Sequence, residues 1–461
     1  MNIRAPLQAM VRSAKHSNLH WAAFPEFRRQ VKQLYERSGW RPLWLWGPRP
    51  TEAATQLIAR LAAADSLGLE PADYDAQWLG HEARELASPL TVPTKKRLAR
   101  FELGLSVAAV RFTTALRRGR VSPRSVHSEL FRPRPSRAAE MAVDSLRDPA
   151  KQGRILEHLQ PHLLHYQLLK NGLAHYRALA RDTTLVPLPP LPPVVQPGMK
   201  LGAAPRLRHL LEATGDLTRA APTGTATSTQ YTEDLVAAVK QFQTRQGFEP
   251  NGVIDASTAT RLNRPFENRV RQIELALERY RWLPATFKAP PIIVNIPAFR
   301  LDAFRGLVDR EDDMLSMDVV VGDADDTHTP VFAADMRYLI FRPYWEVPAS
   351  IMTAELVPKA LEDPSYLEQE GLVLVSGESD RAPEVPPTPK NLKQIGKGMR
   401  LRQRPGPDNA LGLVKFLLPN ANNIYLHDTP AKGLFAKARR DASHGCVRLS
   451  DPVALAAHVL R

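Results

Sequence analysis

NIYLHDTPAKGLFAKARRDASHGCVRLSDP, Asn423 to Pro452, contains the one cysteine of this 461-residue chain, Cys446, and a histidine nineteen positions upstream, His427. Only a thiolate attacks readily, and a neighbouring base must take the thiol proton, so a solitary cysteine near imidazoles points to nucleophilic chemistry. The competing reading is a small buried hydrophobe, the commoner fate of a free cysteine. Local context favours the nucleophile. Cys446 follows the polar pair Ser443 and His444, then Gly445, which has no side chain to block a substrate, and it precedes the apolar stretch that begins at Val447. A core cysteine more often sits inside an apolar run.

Working outward, the segments on the N-terminal side of this stretch read as strands. IIVNIPAFRLDAF, MDVVVG, MRYLIFRPYW, GLVLV, LVKFLLPN and NIYLH are short, rich in β-branched and aromatic residues, and separated by Gly, Pro, Asp or Asn. They predict a mostly β domain beyond Pro290. Between Pro348 and Arg402 the strand signal is interrupted by the helix-like ELVPKALEDPSYL and the polar, proline-rich SGESDRAPEVPPTPKN. Two readings fit that excursion, a lid or substrate clamp beside the site and a disordered surface loop.

Further upstream, proline divides the chain. VPLPPLPPVVQPG, Val186 to Gly198, predicts a stiff polyproline II connector. Before it, Phe101, Leu105, Ala108, Phe112 and Leu116 recur at helical spacing, and Leu163, Leu164, Leu168 and Leu169 suggest a second apolar helix face. That module reads as a helical scaffold without chemistry. After the connector, Leu235, Val239 and Phe242 form one face of a helix that ends at Gly247, and Asp255 caps a shorter helix through Leu262. A plain helical hairpin used as a spacer fits this region, and so does a small binding module.

Composition sets the outer bounds. The length suits about three domains, and 43% hydrophobic with 24% charged residues describes a globular protein. No apolar run is long enough for a membrane span, and the N-terminus lacks the apolar core of a secretory signal. A net charge of +14 favours a polyanionic partner: nucleic acid, an anionic membrane surface or a carboxylate-rich wall polymer. Simple solubility is the plainer explanation. The basic residues are scattered, with no aromatic-interleaved basic motif, which argues against nucleic acid. One cysteine excludes an internal disulfide and a multi-cysteine zinc site, while fitting either an oxidising or a reducing compartment. The histidines show no metal-binding spacing, so no metal or other cofactor is expected.

The run Arg400 to Pro452, with its pattern H-x15-SHGC-x-R, resembles the catalytic core of the L,D-transpeptidases, specifically the large multi-domain branch of Gram-negative bacteria. LERYRWLP (277–284), TPVF (329–332), YWEVPASI (344–351), DPSYL (363–367) and GLEPADYD (68–75) strengthen the resemblance, and FQ-x4-GF-x3-G-x-ID-x2-T-x3-LN resembles a peptidoglycan-binding-like three-helix domain. The implied architecture is multi-domain α+β. It comprises a helical scaffold (1–185), the Pro-rich linker (186–198), the peptidoglycan-binding-like domain (199–265), a connecting helix (266–289) and a mostly β catalytic domain (290–461) with an insertion at about 349–402.

The resemblance also implies a reaction. The family attacks the carbonyl of the third residue of a peptidoglycan tetrapeptide stem, releases the terminal D-alanine and passes the acyl group to an amine of a neighbouring stem, giving a 3-3 cross-link. Cys446 is then the nucleophile that forms a thioester and His427 the base. Backbone N–H groups around Gly445 and Cys446 are expected to hold the oxyanion, and Ser443 to orient His427. Arg448 either holds a substrate carboxylate or closes an internal salt bridge. Tyr425, two residues before His427, faces the same side of a strand and lines the cleft or joins the core. His444 is expected to shape the turn or the substrate wall. Asp428 falls on the opposite strand face and receives no role.

Two further readings belong beside this one. Water in place of the amine makes the same site a carboxypeptidase or endopeptidase. The basic charge and the middle module alone suit a non-catalytic wall-binding protein. A periplasmic location follows from the resemblance. Relatives begin with a signal or membrane anchor, through which membrane association would run, and they continue further past the cysteine motif than Arg461; neither feature is visible here.

Overall fold

The computed structural model describes residues 2–126, 142–218, 228–284, 287, 289–306, 314–363, 365–377, 379 and 381–461. The chain divides into two compact units, Met1–Ala238 with Val253–Lys288, and Val239–Gly252 with Ala289–Arg461. Among the described residues, no helix is long and apolar enough to cross a membrane.

The first unit is organised around the helix Lys95–Arg118. Thr94 caps it by accepting the Arg97 N–H, and its sequence is apolar on nearly every side, so it is buried along most of its length. Phe101, Leu105, Ala108, Phe112 and Leu116 all lie in the core, as their spacing predicts. Helices Arg4–Ser13, Arg28–Arg37, Glu52–Ala62 and Ala76–Ala87 pack around it. A short hairpin, β1 (Leu45–Trp46) and β2 (Arg49–Pro50), is held at its base by Glu102, whose carboxylate accepts the Leu43 N–H at 2.6 Å and the Trp44 N–H at 3.1 Å.

The second predicted helix face is only partly right. Leu168 is exposed on helix Leu164–Arg181, and the packed stripe is Tyr166, Leu169 and Leu173 against Leu277 of helix Phe266–Arg281. A run of leucines has two possible stripes, and the partner helix selects one. The motif LERYRW works here as a pin. Arg281, fully buried, donates to the Tyr166 hydroxyl and the Leu67 carbonyl, while Glu278 accepts the N–H groups of Arg120 and Val121.

Helices Ala204–Ala213, Glu233–Arg245 and Ala256–Leu262 follow in sequence, the last capped by Asp255, which accepts the Thr258 N–H at 2.7 Å. The Pro-rich stretch carries no regular element, but it is not a free connector. Val195 is fully buried and exchanges backbone hydrogen bonds with Ile254, and Leu188 donates to the Asn263 side chain. Proline removes donors from such a segment, and the few remaining N–H groups are the ones used to fasten it.

The second unit contains two sheets. Strands β3 (Ile292–Asn295), β4 (Arg300–Ala303), β5 (Leu315–Gly322), β6 (Tyr338–Phe341), β11 (Val414–Leu417), β12 (Leu426–His427) and β14 (Val447–Leu449) assemble in the order β3-β4-β5-β14-β12-β11-β6, with β13 (Asp441–Ser443) pairing β5. One face is apolar: Leu301, Val319, Val321, Val414, Phe416, Leu426, Val447 and Leu449 form a core with Leu455 and Ala456 of helix Pro452–Val459. All six strand segments expected from sequence are present.

The excursion inside this domain is folded. Strands β7 (Trp345–Glu346), β8 (Leu372–Ser376), β9 (Glu384–Val385) and β10 (Met399–Gln403) form their own sheet in the order β7-β10-β8-β9. Val347, Met352, Leu356, Leu367, Leu374, Leu392 and Leu401 give it a separate core. A structureless surface loop is thereby excluded for the described residues; Pro364, Glu378 and Asp380 lie outside them. The strand signal was hidden because β7 and β9 have two residues each, and a π-helical turn, Met352–Leu356, joins a helix containing Pro358.

Candidate active site

Strands β12 and β14 run parallel, pairing Leu426 with Val447 and His427 with Arg448, and the Val447 N–H donates to the Tyr425 carbonyl. Side chains alternate along a strand. Because Leu426, Val447 and Leu449 enter the core, Tyr425, His427, Cys446 and Arg448 all project from the opposite face. Cys446, in the bend that leads into β14, is thus a diagonal neighbour of His427 on β12. The Cys446 Sγ lies 3.9 Å from the Asn423 carbonyl oxygen, and among the described residues no hydrogen bond joins it to the imidazole. The rings of Tyr425 and His427 stand 5.6 Å apart, centre to centre.

His427 is 5% exposed, and its Nδ1 is 2.5 Å from the Asp428 carbonyl oxygen. A carbonyl only accepts, so Nδ1 carries the proton and Nε2 is left as the acceptor. Burial pushes this imidazole down to about 3, and the positive charges of Arg448 and Lys415 press the same way. Burial pushes the Cys446 thiol up, opposed by hydrogen bonding from Tyr425 and by the charges of Lys415 and Arg448. At neutral pH the resting pair is thiol and neutral imidazole.

The turn before the cysteine is held from the loop that follows β5. Thr327 Oγ1 donates to the Ser443 carbonyl at 2.9 Å; Thr329 Oγ1 donates to the Gly445 carbonyl at 2.7 Å and accepts the Gly322 N–H at 2.9 Å. Gly445 has φ +108°, a conformation open to glycine, and at Gly322 an added Cβ would lie 2.8 Å from the Gly445 Cα, closer than backbones allow. These two glycines and two threonines let the turn sit tightly against the end of the strand.

Two expected roles are reassigned. Ser443 does not orient His427: its hydroxyl donates to the Cys446 carbonyl at 2.6 Å and accepts the Gly445 N–H at 3.2 Å, while the Asp428 carbonyl holds the imidazole. A serine three residues before the cysteine closes the local turn more easily than it reaches a neighbouring strand. The Gly445 N–H is consequently engaged. The Cys446 N–H has no acceptor among the described residues.

The other expected residues separate into two groups. Arg448 and Tyr425 lie beside Cys446. Arg448 makes no salt bridge among the described residues, its buried Nε has no hydrogen-bond partner, and burial lowers its pKa. Burial raises the Tyr425 phenol, with the neighbouring Cys446 adding to the effect. His444 turns away, its Nε2 2.9 Å from the Glu355 carboxylate in the inserted segment, both side chains about half exposed. Sequence reasoning missed Thr327, Thr329, Gly322, Glu355 and Lys415. TPVF contains Thr329 and KFLLP contains Lys415, but only strand pairing shows where they point. Among the described residues no cluster of histidine, cysteine and carboxylate side chains suits a metal.

Residues 290–461 match the family described as the L,D-transpeptidase catalytic domain, residues 206–262 the "Putative peptidoglycan binding domain", and residues 29–173 the scaffold domain. In these three domain matches the chain is similar to the L,D-transpeptidases. One relative, a "Putative L,D-transpeptidase" from Haemophilus influenzae, is 31% identical over 196 residues, which is 42% of this chain. The match spans 38% of that relative's length.

Proposed function

We propose that this protein is a peptidoglycan L,D-transpeptidase that forms 3-3 cross-links in the periplasm through a thioester on Cys446. The observation that carries the reading is the shared sheet face of Cys446 and His427, with Nδ1 fixed by the Asp428 carbonyl so that Nε2 is the basic atom. His427 Nε2 takes the thiol proton as Sγ adds to the carbonyl carbon of the donor stem's third residue. The Cys446 N–H donates to the oxyanion, an interaction worth about 3 kcal/mol in comparable sites. Collapse breaks the peptide bond; the D-alanine nitrogen leaves with the proton from His427, and a thioester remains. An acceptor amine then loses its proton to His427, attacks the thioester carbon and restores the thiol on departure of sulfur.

Arg448, a half-buried guanidinium with no acidic partner among the described residues, is placed to bind a stem carboxylate. Tyr425 walls the same face. The peptidoglycan-binding domain supplies a hold on the polymer. The decisive experiment incubates the protein with disaccharide tetrapeptide and reads products by mass. The expected product is a dimer lacking one D-alanine, absent with C446A. A shortened monomer alone identifies a hydrolase, and unchanged substrate overturns the enzymatic reading.

A further inference from the structure

Lys415 lies on β11, between β12 and the edge strand β6. It pairs with His427 across β11 and β12, so a row of side chains runs Ile340, Lys415, His427, Arg448 and Val320 across five strands. Its ammonium lies 3.9 Å from the centre of the Tyr425 ring, and Tyr425 in turn stands opposite Cys446. Lys415 thus reaches over the aromatic ring toward the sulfur. Among the described residues it has no ion-pair or hydrogen-bond partner, although it is half-buried.

A half-buried ammonium without a carboxylate is costly, and the face of one tyrosine offsets only part of that cost. Such a placement makes sense if an anion forms next to it. The anion that this chain itself can generate there is the Cys446 thiolate. The other charged or titratable groups acting on this pair are Tyr425 and His427 on β12, Arg448 on β14 and Glu346 on β7. Glu346 is already engaged with Arg400 and Arg402.

We propose that Lys415 is a positioning residue whose ammonium, held on the Tyr425 ring, stabilises the Cys446 thiolate and so raises its population at working pH. The proposal rests on the reading of Cys446 as the attacking group. Its direction agrees with the electrostatics of the site, where the Lys415 charge opposes the upward push of burial on the thiol and the thiol in turn favours the ammonium. A second consequence separates this role from a structural one. Replacing an unpaired buried charge with an apolar chain of similar volume is neutral or stabilising, so K415M should fold at least as stably as wild type.

The test uses the full chain and its one thiol. Iodoacetamide alkylation of Cys446, followed by mass from pH 6 to 10, is compared for wild type, K415M, K415Q and K415R, with thermal melts alongside. K415M and K415Q should alkylate about tenfold more slowly near neutral pH, with the profile moved about one pH unit upward, one unit being a factor of ten in thiolate at low pH. K415R should stay near wild type, and on tetrapeptide donor the two neutral variants should lose kcat with KM little changed. Alkylation profiles that coincide within twofold overturn the proposal, including the case where turnover falls through KM alone, which would make Lys415 a substrate contact. Slower alkylation of K415M in a protein whose wild type never acylates on tetrapeptide would leave Lys415 in place and remove the transpeptidase reading instead.

Discussion

Replacing Thr329 with valine tests whether the Cys446 turn is set from the loop that follows β5. The side chain is 6% exposed, and its hydroxyl both donates to the Gly445 carbonyl and accepts the Gly322 N–H. Valine keeps the shape and removes both bonds, leaving two buried backbone groups unpaired at about 1–3 kcal/mol each. The expected destabilisation is therefore about 3 kcal/mol, with partial relaxation of the turn taking up the rest of that range. A turn free to move by a fraction of an ångström also misplaces Sγ, for which about a hundredfold loss in acylation is expected. Urea unfolding gives the first quantity, and the rate of carbapenem adduct formation on Cys446, followed by mass, gives the second. T329S restores the hydroxyl and should recover most of both. T327V, which removes one bond at a half-exposed position, should cost less on each measure. If T329V loses stability yet acylates at the wild-type rate, the turn is not held from the loop after β5 and the positional argument is wrong.

Other outcomes can be checked separately. H427Q should slow thioester formation by about a hundredfold to ten-thousandfold, the usual contribution of a general base, with C446 still alkylated at high pH; because burial holds the imidazole near 3, wild-type acylation should show no acidic limb between pH 5 and 7. G445A forces an alanine into φ +108° and toward the Ile424 side chain, and should cost about 1–3 kcal/mol in stability along with most of the activity. Glu102 is fully buried, and burial raises its carboxyl to about 7 from the ordinary 4.5. The folded state then holds a proton that the unfolded state has released, so stability is greatest below about pH 4.5 and falls by about 3 kcal/mol as pH rises to 7. E102Q should flatten that dependence in the melting of the protein, even where its amide fits the Trp44 N–H less well.

What the sequence could show was set by how local each signal is. A central helix declares itself because Phe101, Leu105, Ala108, Phe112 and Leu116 each repeat the same geometry within one element. Cys446 and His427 stood out by chemical type, and the alternation of strand faces correctly put Tyr425 with His427 and the Asp428 side chain elsewhere. The partners of these residues were not legible. Ser443 looked like an orienting hydroxyl until its bonds to Cys446 and Gly445 closed the turn. The group that actually holds His427 is a backbone carbonyl, which no side-chain pattern can announce. Lys415 and Thr329 lie far from Cys446 in sequence, and their relevance comes from strand order, which sets β11 beside β12 and the loop after β5 beside the turn that leads into β14. Of the inserted sheet only β8, in GLVLV, was legible, because β7 and β9 are too short to show a period and the core is assembled from residues spread between Val347 and Leu401.

That inserted sheet starts and finishes on adjacent strands. β7 and β10 pair directly, Glu346 opposite Arg402 and Trp345 opposite Gln403, and the Glu346 carboxylate clamps both Arg400 and Arg402. The chain therefore departs from the catalytic domain and rejoins it at nearly the same point. A segment attached by such a narrow stem can lengthen or shrink without any strand of the eight-stranded sheet changing register.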